Sequence, residues 1–210
     1  ESRISSSARY TSGFTPSTTA FKDDVDTLLL LHMDGGGGID PETNLPTLAG
    51  QGTYFWDAST NAIFYGADGI PTNKSIISFD GTGDYLSVPA SSDFNFGSSD
   101  FTLEAWVKRS AVDSNQHVLT GFSNGSGVIR AFFMDIDNDD TVRFIIREAD
   151  LTTHTANSTG TIDTNWHHIA GVRDGNTLRI FIDGVADGTA DVTGKSAADG
   201  TSVLGIGTIA

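Results

Sequence analysis

Asn165–Gly184 (NWHHIAGVRDGNTLRIFIDG) has the clearest strand pattern in the sequence. Apolar and polar residues alternate along both of its halves, which is the period of side chains in a β-strand. The halves are joined by Arg173-Asp174-Gly175-Asn176, and Asp183-Gly184 ends the second half. Asp-Gly between alternating runs is a strong hairpin signal, because such a turn needs positive φ. The stretch therefore predicts two central antiparallel strands with one buried face.

Short strand-like runs continue on both sides of this hairpin. Phe101–Lys108 (FTLEAWVK) alternates clearly, and about a dozen such runs are separated by turn signals. Ala90–Phe96 predicts one helical turn, capped by Ser92 or Asp93, and helical periodicity is otherwise almost missing from the sequence. This pattern predicts an all-β fold: a two-sheet antiparallel jelly-roll sandwich.

Composition narrows the classes of function. The chain has 210 residues, which suits one large β domain, and a net charge of −15. Such a charge repels phosphate backbones, so we expect no nucleic-acid partner. The longest apolar run, Leu28–Leu31, is far too short to insert into a membrane. Without cysteine, neither disulfides nor thiolate metal sites can form.

The first 25 residues read as a separate segment. ESRIS has the pattern of a short strand, and the Ser/Thr-rich continuation carries Tyr10, Phe14 and Phe21 as isolated aromatic anchors. One interpretation is a flexible linker. The other, which the aromatic spacing favours, is an extended arm whose rings fill shallow pockets on a surface.

Two separated motifs carry a family resemblance. They are SFDGTGDYLSVPASSDFNFGSSDFTLEAWVKRS (78–110) and the hairpin stretch 165–184. Together they resemble the laminin-G-like jelly roll of the concanavalin A-like lectin/glucanase superfamily, over roughly 26–210. The resemblance implies a fold, whereas the superfamily contains lectins, glycosidases, adhesion modules and virion proteins.

The resemblance also implies a role for the two ends. ESRISSSARYTSGFTPST (1–18) resembles the last strand and tail of such a unit, and SVLGIGTIA (202–210) stops where the family needs a final strand. We therefore expect residues 1–25 to be an arm belonging to the end of a preceding unit, and 26–210 to be a jelly roll lacking its own closing strand.

Two destinations are open for the strand in this arm: its own sheet, or that of a neighbouring copy or adjacent unit. The residues expected to serve this assembly are Arg3, Ile4, Tyr10, Phe14 and Phe21. Arrays of this kind resemble marine phage tail-fibre and virion proteins and bacterial adhesins. The resemblance thus implies an extracellular or virion location.

The sequence contains no clear set of catalytic residues. Glycosidases of this superfamily place paired carboxylates on one strand, whereas Phe101–Lys108 holds only Glu104, with Trp106 where a second carboxylate would stand. We interpret Glu104 as a structural acceptor for a His, Trp or backbone donor. His167 and His168 point to opposite faces and cannot share a ligand. We expect no enzyme, with a glycoside hydrolase as the distant alternative.

Calcium is the cofactor that the sequence allows. Its oxygen ligands could come from Asp34 with the glycine carbonyls that follow it, or from Asp80 and Asp84 in the DGTGD turn. Asp135–Asp140 begins like an EF-hand loop but lacks the Gly and Glu of that motif, so we interpret it as an acidic hairpin turn. Asp-Gly is also common in turns for conformational reasons alone.

Glycan binding needs exposed aromatic rings, for which Tyr54, Trp56, Tyr65 and Trp106 are the candidates. The leading hypothesis is a structural and adhesion module of an extracellular or virion fibre, assembled through its N-terminal strand and arm. The alternative is a lectin that binds cell-surface glycans, with Ca²⁺ as a potential cofactor.

Overall fold

The computed structural model describes residues 2–18, 21–31, 38–39, 46–47, 53–57, 62–66, 79, 85–123, 130–200 and 203–207. Among these residues the regular structure consists of β-strands and one short 3-10 turn. The strands, in chain order, are β1 (Ser2–Ser5), β2 (Thr27–Leu31), β3 (Gly38–Ile39), β4 (Pro46–Thr47), β5 (Thr53–Asp57), β6 (Ala62–Gly66), β7 (Leu86–Val88), β8 (Phe101–Val107), β9 (His117–Ser123), β10 (Arg130–Ile136), β11 (Thr141–Arg147), β12 (Thr153–Thr161), β13 (His167–Asp174), β14 (Thr177–Ile182), β15 (Val185–Asp191) and β16 (Leu204–Ile206).

Two six-stranded antiparallel sheets form the sandwich. The first sheet has the order β15-β14-β13-β8-β1-β2, and the second has the order β12-β11-β10-β9-β16-β7. Two further ribbons pair β3 with β4 and β5 with β6. The predicted jelly-roll sandwich is thereby confirmed.

The hairpin predicted at 165–184 is formed by β13 and β14. β13 pairs with β14 from Ile169 opposite Ile182 to Asp174 opposite Thr177, and Gly175 in the turn has a φ of 55°. β8 pairs with the other side of β13, so β13 is an interior strand.

The core fills the space between the inner faces of the two sheets. Phe101 and Leu103 of β8 point into it and are fully buried. The Phe101 ring lies 5.3 Å from that of Phe132 and 5.5 Å from that of Phe144, across the sandwich. A Cβ on Gly171 would lie 2.7 Å from the Phe144 ring, so a larger residue cannot replace this glycine without displacing the ring. Each such aromatic side chain contributes about 1.5–3 kcal/mol through burial.

The predicted helical turn is a single 3-10 turn, Ser92–Phe94, but its cap lies one residue earlier than expected. Ser91 has an extended backbone, and its hydroxyl accepts from the Asp93 N–H at 3.2 Å. The expected caps, Ser92 and Asp93, already belong to the helical turn, and a capping residue must lie outside it.

Candidate functional site: the N-terminal strand and its docking face

β1 is an interior strand of the first sheet. It pairs antiparallel with β8 on one side and with β2 on the other, and its four residues are buried. The alternation of Ser-Arg-Ile-Ser places Ile4 in the core and Arg3 on the outer face of the sheet. The N-terminal strand thus lies in the sheet of its own chain in this structure.

After β1, the described remainder of the arm, residues 6–18 and 21–25, is called the tail. It crosses the outer face of the first sheet. The Thr102 hydroxyl donates to the carbonyl of Ser7 at 2.7 Å and accepts from the N–H of Arg9 at 3.0 Å. Farther along, the N–H of Phe14 donates to the carbonyl of Gly184 at 2.8 Å. The tail backbone is therefore attached at both ends of its crossing, and it is packed rather than free.

Two aromatic anchors of the tail cover an apolar part of that outer face. The rings of Tyr10 and Phe14 are stacked, with centroids 3.6 Å apart, and both meet the edge or face of Phe181. Ala170, Val172 and Phe181 lie beneath them and are fully buried. Removing the tail would expose this surface, which is unfavourable because apolar burial is the main stabilising term in folding.

The third anchor, Phe21, lies on the return path of the tail. Its ring covers the guanidinium of Arg3, 4.5 Å from the centroid, and lies edge-on to His168. Close by, Arg9 forms a bidentate pair with Asp24, at 2.9 and 2.7 Å. The hydrogen bonds from Arg9 hold the pKa of the Asp24 carboxyl well below its usual range. The beginning and end of the tail are thereby tied together.

Glu104 is the polar centre of this docking face, which we define as Thr102, Glu104, His168, Ala170, Val172 and Phe181. One carboxylate oxygen accepts from Arg3, at 2.7 Å from Nε and 2.5 Å from Nη2. The other accepts from the Tyr10 hydroxyl at 2.7 Å and from His168 Nε2 at 3.1 Å. Because an ionised carboxylate only accepts, His168 must donate through Nε2. Glu104 is therefore a structural acceptor, as predicted, with His168 among its partners.

Burial and hydrogen bonding act on Glu104 in opposite directions. Burial raises its pKa, but the hydrogen bonds from His168 and Tyr10 and the charge of Arg3 outweigh burial and leave the pKa below its ordinary value. Burial and the neighbouring Glu104 charge raise the pKa of Tyr10. The carboxylate is thus ionised and its hydroxyl donor is neutral, which is the arrangement that favours a strong hydrogen bond.

This arrangement suits binding better than hydrolysis. Glu104 is the one carboxylate of β8, and Trp106, two residues farther on, lies edge-on to His168 at 5.4 Å. Retaining and inverting glycosidases both need a second carboxylate beside the first. The side chain of Glu104 is also fully buried and is hydrogen-bonded to Tyr10 of the tail, so a substrate could reach it only if the tail moved.

His167 belongs to a different cluster from His168. Its Nδ1 lies 2.8 Å from Asp183 and its Nε2 lies 3.0 Å from Asp163. Burial lowers the pKa of His167, but the hydrogen bonds to Asp183 and Asp163 raise it above its ordinary value. The rings of His167 and His168 therefore have separate side-chain partners, and the absence of a shared ligand stays a prediction.

The acidic string 135–140 ends β10 and forms the hairpin turn to β11, as predicted. Buried Asp135 accepts from Arg143 Nε at 3.0 Å and from Nη2 at 2.7 Å, and Asp137 lies 2.7 Å from Nη1 of the same side chain. In the part of the chain that the structure describes, no group of three or more His, Asp or Glu side chains could hold a metal ion.

The remaining predicted sites lie partly or wholly outside the described residues. Asp34, Asp80 and Asp84 lie outside them, so calcium binding stays a prediction. The β5–β6 ribbon pairs Tyr54 with Tyr65 and Trp56 with Ile63 along the backbone. Glycan binding by these aromatic residues also stays a prediction, as does the division of the chain at residue 25.

Comparison with known proteins gives a family match. The laminin-G family model, described as the concanavalin A-like lectin/glucanases superfamily, matches residues 80–209. No curated protein matches the chain.

Solved structures similar to the chain include the following three. Domains LG4-5 of the mouse laminin alpha1 chain are 18% identical, with a TM-score of 0.49, over 66% of this chain and 37% of that one. The binding domain of Paraclostridial Mosquitocidal Protein 1 is 14% identical, with a TM-score of 0.48, over 60% and 33%. The heptameric SAP-like pentraxin from Limulus polyphemus is 17% identical, with a TM-score of 0.38, over 62% and 66%. The chain spans 37% and 33% of the length of the first two.

Laminin-G-like domains are typically non-enzymatic binding modules of extracellular proteins. No helix in the described part of this chain is long and apolar enough to cross a membrane. The family match covers more than half of the chain and includes most strands of both sheets. The chain therefore belongs to the concanavalin A-like lectin/glucanases superfamily, as a laminin-G-like jelly roll.

Proposed function

We propose that this chain is a non-enzymatic adhesion and structural module of an extracellular or virion fibre, joined to similar units through its N-terminal arm. In this proposal, β1 and the tail of one copy complete the first sheet of the next. The observation that carries it is the place of β1, which is an interior strand although it comes from the first residues of the chain.

The connection between the arm and the rest of the chain supports such an exchange. β1 and the three aromatic anchors contact the docking face, and only the segment Lys22–Asp26 links them to β2. Val25 in this link is 99% exposed. If the link opens, the same arm makes the same contacts on a second copy, so the closed and exchanged forms differ little in contact energy.

Engineered cysteines test the exchange directly, because the chain has none of its own. Ser2 and Ala105 are partners across β1 and β8, and both are small. A copy carrying Ser2→Cys is mixed with a differently sized tagged copy carrying Ala105→Cys, and the mixture is oxidised after incubation. We expect a disulfide-linked heterodimer on a non-reducing gel.

The control uses a pair that cannot exchange independently. Thr177 and Asp191 are partners in the β14–β15 hairpin, whose strands are joined by a short turn. Copies carrying Thr177→Cys and Asp191→Cys should give only background cross-linking. If the Ser2 and Ala105 variants give no more heterodimer than this control, the proposed assembly is wrong.

A lectin function is the second candidate, and the pairing of Tyr54 with Tyr65 favours it. Trp56 and Tyr54 each combine an aromatic ring with a polar group that can hydrogen-bond a sugar, whereas Phe55 has only a ring. Glycan-array binding should therefore be lost in Trp56→Ala and kept in Phe55→Ala. Asp34→Asn, or chelation of calcium, should weaken binding if the metal takes part.

A further inference from the structure

We infer that Glu104 and His168 determine which strand the first sheet accepts, by requiring an arginine and, seven residues later, a tyrosine. The partner is the arm of a second copy, which carries the pattern Arg-Ile-Ser followed by the Tyr and Phe anchors. This inference rests on the proposed function, since it concerns the specificity of the same exchange.

The buried negative charge of Glu104 depends on partners that the arm supplies. Glu104 has three donor side chains, and two of them, Arg3 and Tyr10, belong to the arm. A strand with an apolar residue in place of Arg3 would leave a buried carboxylate with too few partners. Breaking a buried ion pair from one side is strongly unfavourable, because the remaining charge stays desolvated.

The pairing of Arg3 with Glu104 also fixes the register of β1 against β8. Arg3 lies directly opposite Glu104, and Ile4 lies opposite Leu103. A shift by one residue would turn Arg3 towards the core and Ile4 towards the outer face. The ion pair therefore selects one register as well as one side chain, and the planar guanidinium suits it because it binds a carboxylate with two N–H groups.

The ring and the hydroxyl of Tyr10 differ in how strictly they select the residue at this position. The stacked rings of Tyr10 and Phe14 need only an aromatic partner surface, which a phenylalanine at position 10 would also provide. The hydroxyl is different, because it donates to the same oxygen of Glu104 as His168 does. A strand that lacks it leaves this oxygen with one donor.

His168 holds the carboxylate from the receiving side. Its ring is enclosed edge-on by Tyr10, Phe14, Phe21 and Trp106, and within the described structure its buried Nδ1 has no hydrogen-bond partner. An imidazole that leaves one nitrogen unsatisfied while the other binds Glu104 is positioned for the carboxylate, and we regard it as a positioning residue.

The test uses the cysteine pair as a rate assay. Donor copies carry Ser2→Cys with Arg3, Arg3→Lys or Arg3→Leu, and acceptor copies carry Ala105→Cys with Glu104 or Glu104→Leu. With Glu104 acceptors, we expect Arg3→Leu donors to cross-link at least about tenfold more slowly than Arg3 donors, and Arg3→Lys donors to be intermediate. With Glu104→Leu acceptors, Arg3→Leu donors should regain the lost rate.

Lys22→Leu is the matched control among donors. It removes one positive charge of the arm, but its exposed side chain does not reach Glu104. We expect its rate to equal that of the unaltered donor. If Arg3 and Arg3→Leu donors react equally with Glu104 acceptors, the inferred specificity is wrong although arms are exchanged.

A second readout keeps the inference testable if copies do not exchange at all. Arg3→Leu, Glu104→Leu and the double variant are then made in single chains without cysteines, and their urea midpoints are compared in a double-mutant cycle. Strongly non-additive shifts support selection of Arg3 by Glu104, even though the assembly proposal has failed. Additive shifts overturn the inference.

Discussion

Tyr10 makes two separable contacts, because its ring stacks on Phe14 while its hydroxyl donates to Glu104 at 2.7 Å. Tyr10→Phe keeps the ring and removes only the donor. A hydrogen bond to a charged group contributes about 1.5–3 kcal/mol, so we expect the free energy of unfolding to fall by about that amount. Urea unfolding followed by tryptophan fluorescence measures the loss.

The same substitution in a Glu104→Leu background is the control. There the carboxylate that needs the donor is gone, and the cost of Tyr10→Phe should be much smaller. An equal cost in both backgrounds would mean that the hydroxyl stabilises the protein through some other contact.

Glu104 should also contribute to the pH dependence of stability. Because its folded pKa lies below the ordinary value of 4.5, its contribution is complete above that value and is lost as the pH falls through the folded pKa. In Glu104→Gln this contribution is missing at every pH. We therefore expect the free energy of unfolding to decline less between about pH 7 and about pH 3 in Glu104→Gln than in the unaltered protein.

Exposed carboxylates such as Asp24, whose pKa is also held low, should cause a similar decline in both proteins. Only the difference between the two declines reports on Glu104. Parallel declines would indicate that Glu104 keeps the same proton affinity in the folded and unfolded chain.

The role of Glu104 could be predicted from the sequence, but most of its partners could not. A lone acidic residue in an alternating strand must find donors, and that reasoning is local. Arg3 and Tyr10, in contrast, are 101 and 94 residues away in sequence, and no periodic pattern connects them to β8. The pair of Arg9 and Asp24 is equally hard to predict, because its only signal in the sequence is their opposite charge.

The tail also lies directly against the β14–β15 turn, where the N–H of Phe14 donates to the carbonyl of Gly184. Gly184 has a φ of 78°, and a Cβ on it would lie 1.8 Å from the Phe14 carbonyl oxygen. Gly175 in the β13–β14 turn has a φ of 55°, and a Cβ there would meet nothing within 4 Å. Alanine at either position costs about 1–2 kcal/mol from positive φ, but only Gly184→Ala also pushes the tail away.

We therefore expect trypsin to cleave after Arg9 faster in Gly184→Ala than in Gly175→Ala under native conditions, because proteases cut segments that open locally. The free energy of unfolding should also fall further in Gly184→Ala. Similar cleavage rates in the two variants would mean that the tail does not depend on its contact with this turn.

The two kinds of strand pairing differ in how far the sequence predicts them. β13 and β14 are joined by a four-residue turn signal, so their alternation and the Asp-Gly pair specify the hairpin locally. β1 is separated from β8 by almost the whole first half of the chain, and its alternation fits its own sheet or that of another copy equally well. Alternation specifies which face of β1 is buried, and leaves open which chain buries it.

The charges of the chain as a whole determine how two copies interact at long range. The sequence has 27 acidic and 12 basic residues. Several of the basic side chains are held in ion pairs, among them Arg3, Arg9, Arg109, Arg143 and Arg179. Two copies that approach each other therefore present mainly negative charge, and their long-range interaction is repulsive.

Fold class follows from composition and periodicity, because nearly every strand contributes to both signals. Function does not follow in the same way, because one sandwich fold supports many kinds of binding site. The calcium candidates Asp34, Asp80 and Asp84 are predicted from their side-chain chemistry, which is independent of the alternation that predicts the sandwich.

The surface charge predicts how salt affects the exchange of arms. The screening length falls from about 30 Å at about 0.01 M salt to about 8 Å at about 0.15 M, so the repulsion between two copies of charge −15 weakens strongly over this range. The attraction between Arg3 and Glu104 acts only after contact and is buried, so salt screens it much less. We therefore expect heterodimer formation between Ser2→Cys and Ala105→Cys copies to become several-fold faster, whereas a disulfide within one chain carrying both cysteines should form at an unchanged rate. Sucrose at matched osmolality is the control and should not accelerate either reaction. A rate that fell with added salt would instead indicate that complementary charges bring the copies together.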